Sequence, residues 1–138
     1  MSIRAALRKT SLIDFPGRVA SVLFFPGCNL RCPYCQNGAL VLAAGQEQGS
    51  APDAPADDGT LPLDEALAVI DARRNRVSGV VVSGGEPLVH AEMPEIASRL
   101  RAMGLALKLD TNGTFPERIE QIHPDYLAID IKTYPASY

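Results

Sequence analysis

Val77-Ser-Gly-Val-Val-Val-Ser-Gly-Gly-Glu-Pro87 decides the fold. Its first seven residues form a continuous run of valines and small residues, the pattern of a strand buried on both faces, as parallel strands flanked by helices are. Gly84-Gly-Glu-Pro87 then ends the strand, because a glycine pair and a proline punctuate the chain.

Working outward, Leu63, Ala66, Leu67 and Ile70 recur at i, i+3, i+4 and i+7, which predicts a helix over 63–74 with one apolar stripe, acidic at its start and basic at its end. On the other side, Ile96, Leu100 and Met103 predict a helix beginning at 92–94 and ending at 103, with Gly104 at its C-terminal cap. A third strand over 105–109 is closed by Asp110-Thr-Asn-Gly113. Thr114 with Pro116 and Glu117 has the form of a capping box opening a short helix that Pro124 must end, and 126–131 reads as a fourth strand.

Toward the N-terminus, after an irregular start, Arg18-Val-Ala-Ser-Val-Leu-Phe-Phe-Pro26 is a buried strand stopped by Pro26-Gly27. The stretch 43–60 is biased to Ala, Gly, Pro and Asp without periodicity, and reads as a flexible surface loop. Strands alternating with helices imply an α/β domain of right-handed βαβ units, with about four parallel strands and outer helices. At 138 residues one domain spanning 1–138 is the expectation.

Composition narrows the partners. The chain is 46% hydrophobic and 21% charged, an ordinary globular balance and not that of a disordered chain. A net charge of −3 and the lack of any apolar run approaching the ~18 residues of a membrane span argue against nucleic acid and bilayer as partners. The first residues lack the apolar segment of a secretory signal, so a cytoplasmic location is expected.

The polar motifs share one property. The cysteine-bearing loop after 18–26, Gly84-Gly-Glu-Pro87, Asp110-Thr-Asn-Gly113 and the Asp130/Lys132 pair all fall at C-terminal ends of predicted strands, where parallel α/β sheets and barrels carry their chemistry. In 126–132, period-two alternation puts Leu127, Ile129 and Ile131 on one face and Tyr126, Ala128, Asp130 and Lys132 on the other.

Cys28, Cys32 and Cys35 are the three cysteines of the chain, and an odd number within eight residues cannot complete a disulfide framework. Their C-x-x-x-C-x-x-C spacing suits three ligands of one iron–sulfur cubane, with one iron left open. A structural zinc site would need a fourth ligand; His90, soon after the second motif, stays open on spacing, and His123 is more distant.

Pro26-Gly-Cys-Asn-Leu-Arg-Cys-Pro-Tyr-Cys-Gln-Asn37 resembles the cluster loop of radical S-adenosylmethionine (SAM) enzymes, and Lys9-Thr-Ser-Leu-Ile-Asp-Phe-Pro-Gly17 is similar to the N-terminal segment of anaerobic ribonucleoside-triphosphate reductase activating proteins. The resemblance implies a partial (βα) barrel and a [4Fe–4S] cluster on Cys28, Cys32 and Cys35, whose open iron chelates SAM. It further implies that Tyr34 lies near the adenine, that Gly84 and Gly85 let the backbone approach the ligand, and that Glu86 helps hold the methionine ammonium. Asp110 and Thr111 would lie near the methionine carboxylate and help hold a monovalent cation, while Lys132 would meet that carboxylate and Asp130 the ribose hydroxyls. No catalytic residue is implied beyond these ligands.

The activity implied is reductive cleavage of SAM to a 5′-deoxyadenosyl radical that takes hydrogen from a glycine of a glycyl-radical enzyme, anaerobic ribonucleotide reductase, with a flavodoxin- or ferredoxin-type protein as reductant. A radical SAM enzyme acting on a small molecule or nucleoside, and a non-catalytic metal or iron–sulfur module, are the competing readings. Enzymes of this kind usually continue for two further strand–helix units, so a core truncated at its C-terminus is expected.

Overall fold

A computed structural model describes residues 3–30, 32 and 59–131. In chain order the elements are β1 (Arg4–Ser11), β2 (Ala20–Phe25), β3 (Thr60–Pro62), α1 (Leu63–Ala72), β4 (Gly79–Gly84), a 3-10 turn (Pro87–Val89), α2 (Met93–Ala102), β5 (Ala106–Thr111), α3 (Pro116–Ile122) and β6 (Tyr126–Ile129). They build one sheet in the order β3-β1-β2-β4-β5-β6. The four expected strands β2, β4, β5 and β6 are mutually parallel.

Two strands correct the sequence reading. The start of the chain is not irregular: β1 pairs antiparallel with β2 on one side and β3 on the other. Arg4, Arg8 and Lys9 hide it, since charged side chains are depleted in strands. Pairing to two neighbours holds β1 in place, helped by Arg4, whose guanidinium donates to Thr60 Oγ1 at 2.9 Å and to the Thr60 carbonyl at 2.8 Å. Thr60, expected at the end of a loop, thus opens an edge strand that Pro62 closes. The rest of that expected loop, 43–58, lies outside the described residues.

The sheet separates two cores. On its outer face Leu23, Phe25, Val80, Val82, Leu107 and Leu109 pack with the apolar stripes of α1 (Leu63, Ala66, Leu67, Ile70) and α2 (Ile96, Leu100), joined by Ile122 of α3. The predicted periodicities of both longer helices are therefore the buried ones. On the inner face Phe15, Ala20, Val22 and Val81 form a smaller cluster with Phe24 and Ala106. Leu127 and Ile129 stay exposed at the β6 edge.

Helix ends follow the sequence in part. Gly104, at φ +80°, sits just beyond the Met103 cap of α2. Thr114 does not cap α3: Phe115 occupies that position without a side-chain bond, and the Thr114 hydroxyl donates to Asn112 Oδ1 at 2.7 Å. The accepting side of that hydroxyl, which a cap would turn to helix N–H groups, is taken instead by the Asn29 side-chain amide at 2.9 Å. No described helix is long and apolar enough to cross a membrane.

Candidate active site

The parallel register sets Phe25 of β2 beside Gly84 of β4, and the two chains stay together beyond the ladder. Gly85 N–H donates to the Phe25 carbonyl at 3.0 Å and Glu86 N–H to the Gly27 carbonyl at 2.7 Å. Both glycines are required for this approach. A Cβ on Gly84, which sits at φ +130°, would collide with the Phe25 backbone; one on Gly85 would collide with the Gly27 carbonyl and stand 3.2 Å from Cys28 Cβ. The backbone that the glycine pair approaches is thus that of the cysteine loop.

Glu86 crosses to the next strand. Its carboxylate, in a residue 1% exposed, accepts from Leu88 N–H at 3.1 Å and Thr111 Oγ1 at 2.8 Å through Oε1, and from Asn112 N–H at 2.7 Å through Oε2. A charge this deep is tolerable when donors surround it. The motif after β4 and the motif after β5 are thereby one unit.

Asp110 and Thr111 point to opposite faces, as alternation requires. Thr111 turns toward Glu86, while Asp110 lies on the inner face with Lys108, whose Nζ is 2.9 Å from Asp110 Oδ1 and donates to the Asp14 carbonyl at 2.6 Å. Lys108 also lies over the Tyr126 ring at 5.7 Å, so the expected inward side of β6 is the one observed. Burial pushes the Asp110 carboxyl above its ordinary value. Hydrogen bonding and charge from Lys108 and a bond from Ser83 pull it down, and the like charge of Asp130 pushes it up. Asp130 is therefore within electrostatic reach of Asp110, and its N–H donates to the Thr111 carbonyl at 3.0 Å.

Cys28 and Cys32 are half-buried and outside any disulfide. The Cys28 sulfur accepts from the Leu30 N–H at 3.3 Å and lies 3.9 Å from the donating side-chain amide of Asn112. As a thiol the sulfur also faces an acceptor, Asn29 Oδ1 at 4.0 Å; with the proton lost the two N–H donors remain, a set that fits a thiolate ligand of an iron–sulfur cluster. Tyr34, Cys35 and Lys132 lie outside the described residues. His90 is engaged elsewhere, its Nε2 donating to the Pro26 carbonyl at 2.7 Å with the ring against Phe25. It braces the entry to the cysteine loop and does not present that nitrogen to a metal.

Sequence reasoning passed over Asn29 and Asn112 as members of this site, and weighed His90 as a zinc ligand where the structure has it bracing the loop. The available signal was Asn112 two residues before Thr114: such a pair makes an Asx-type turn with the side-chain oxygen, leaving the amide nitrogen to reach another segment.

Comparison with known proteins matches this arrangement to one family. The Radical SAM superfamily pattern covers residues 22–138. A protein of Methanocaldococcus jannaschii named as a glycyl-radical enzyme activating enzyme is 35% identical over 127 residues, 88% of this chain and 47% of its own length. The 7-carboxy-7-deazaguanine synthase of Rhodospirillum rubrum is 38% identical over 101 residues, 72% of this chain and 36% of its own. The chain spans less than half of either relative. The crystal structure of QueE from Escherichia coli shares the fold, with a TM-score of 0.59 at 21% identity over 83% of this chain and 54% of that one. A cysteine loop packed on a glycine pair, at the C-terminal edge of a parallel sheet and matched by this pattern over most of its length, makes the chain a member of the radical SAM superfamily.

Proposed function

We propose that the protein reductively cleaves SAM to form a 5′-deoxyadenosyl radical and thereby activates a glycyl-radical enzyme, anaerobic ribonucleoside-triphosphate reductase, by removing hydrogen from a glycine. The observation that carries this reading is the meeting of Cys28, Gly84-Gly85-Glu86 and Asp110-Thr111-Asn112 on one rim, joined by the Glu86 bonds. Bound by Cys28, Cys32 and Cys35, a [4Fe–4S] cluster with an open iron supplies the single electron for the cleavage.

The chain's own groups position the substrate. Asp110 offers a carboxylate to a monovalent cation, Asp130 offers one to the ribose hydroxyls, Lys132 offers a cation to the methionine carboxylate, and Tyr34 offers a ring to the adenine. Glu86 keeps the rim in register from within. A flavodoxin- or ferredoxin-type protein is the proposed reductant. The activating-enzyme reading is supported by the M. jannaschii relative and by the likeness of Lys9-Thr-Ser-Leu-Ile-Asp-Phe-Pro-Gly17 to activating proteins. A second reading, action on a small molecule or nucleoside, is supported by the R. rubrum relative.

The test is anaerobic reconstitution with iron and sulfide, reduction in the presence of SAM, and assay of 5′-deoxyadenosine, followed by incubation with the reductase. A glycyl-radical doublet by EPR is expected. 5′-Deoxyadenosine without the doublet overturns the partner and leaves the second reading; zinc at about one per chain without iron or sulfide overturns both.

A further inference from the structure

We infer that Asn112 is a positioning residue for Cys28: its side-chain amide donates to the Cys28 sulfur, fixes that sulfur against the rim, and raises the reduction potential of a cluster bound there. The inference rests on the cluster of the preceding section but not on any partner enzyme.

The direction of the amide is decided by its neighbours. Asn112 Oδ1 accepts from the Thr114 backbone N–H at 3.1 Å, and a backbone N–H can only donate. The oxygen must therefore face Thr114, whose hydroxyl also donates to it at 2.7 Å. The nitrogen must face the other way, where it donates to Asn29 Oδ1 at 2.9 Å and points at Cys28 Sγ at 3.9 Å. Asn29 is itself held, its own amide donating to Thr114 Oγ1 at 2.9 Å. All four side-chain valences of Asn112 are thus used, in a residue 4% exposed.

The backbone of Asn112 is anchored as firmly as its side chain, because its N–H donates to Glu86 Oε2 at 2.7 Å. Asn112, itself in the motif that ends β5, is consequently the residue that joins the other two described motifs to it: Cys28-Asn29 through its side-chain nitrogen and Glu86 through its backbone N–H, with its side-chain oxygen held by Thr114. The consequence for redox chemistry follows from charge. One-electron reduction adds negative charge that is shared by the thiolate sulfurs, and an N–H dipole aimed at a sulfur stabilises the reduced form more than the oxidised one.

The test uses the full chain, reconstituted anaerobically and titrated with a one-electron reductant while the reduced cluster is read by EPR. Asn112→Ala removes the donor without adding charge. Asn112→Asp keeps an oxygen for Thr114 while facing the sulfur with an acceptor. Thr114→Val loosens the turn but keeps the backbone N–H that orients the amide. Both Asn112 variants are expected to be about tenfold harder to reduce, a fall of about 59 mV for one electron, and Thr114→Val to stay near wild type. An unchanged potential in Asn112→Ala overturns the proposal, as does an equal fall in Thr114→Val.

A second measurement needs no cluster. In the cluster-free protein Cys28→Ser is expected to shift the side-chain amide resonance of Asn112, with Cys32→Ser leaving it in place. An Asn112 resonance indifferent to Cys28→Ser overturns the contact, whatever becomes of the cluster. Failure of the wild-type chain to take up iron and sulfide would instead overturn the cluster reading itself.

Discussion

Glu86 Oε1 and Thr111 Oγ1 lie 2.8 Å apart inside the protein, tying the loop after β4 to the end of β5. The same carboxylate takes the N–H groups of Leu88 and Asn112, so one buried acidic group organises two of the three described rim motifs. Its removal strands donors that the rest of the structure has arranged around it.

Glu86→Ala is accordingly expected to destabilise the cluster-free protein by about 3 kcal/mol or more, each buried donor left without an acceptor costing about 1–3 kcal/mol. Glu86→Gln, which retains one acceptor oxygen, should lose roughly half as much. Urea unfolding followed by circular dichroism measures both; a loss in Glu86→Ala no larger than that of an ordinary surface substitution would remove the strut.

Gly85→Ala places a Cβ against the Gly27 carbonyl and must separate β2 from β4 just where the cysteine loop departs. A cost of about 1–3 kcal/mol is expected from the forced shift, with weaker iron retention after reconstitution. Wild-type stability and iron content in this variant would show that the two segments are not packed as described.

The pH dependence of Asp110 has a definite sign. Burial lifts its carboxyl in the folded protein, so the folded state holds that proton more tightly than the unfolded one. The resulting stability is present below the ordinary carboxylate range and lost as pH rises through the raised value. Asp110→Asn has no such titration. The unfolding free energy of the variant, measured against wild type without added ligand, should therefore improve as pH is raised from below about 4 toward neutrality. A difference that is flat across this range would contradict the buried position of the carboxyl.

Leu100→Ala probes the outer core. Leu100 is fully buried where α2 meets the sheet, and its truncation is expected to cost about 2–5 kcal/mol by thermal or urea unfolding. A loss well under 1 kcal/mol would mean that α2 does not pack on this face.

Periodicity and punctuation were enough for the parallel half of the sheet and its helices. The valine run of β4, the i, i+3, i+4, i+7 stripe of α1 and the glycine after α2 are local statements of where apolar groups and turns must lie, and each element formed within two residues of where they placed it, although Arg73 and Arg74, expected in the last turn of α1, fall beyond its end at Ala72. The same logic carried the polar motifs to one rim, because strand ends in a parallel sheet lie on one edge. β1 and β3 were not legible, since a strand bearing Arg4, Arg8 and Lys9 exists through the neighbours that complete its ladder, and pairing across 56 positions leaves no local trace. The joining of Glu86 to Thr111 and the turning of the Asn112 amide toward Cys28 belong to the tertiary structure for the same reason. A side chain's chemical type is written in the chain, but its partner depends on which segments the fold brings within 3 to 4 Å, and for hydrogen bonds that distance is everything.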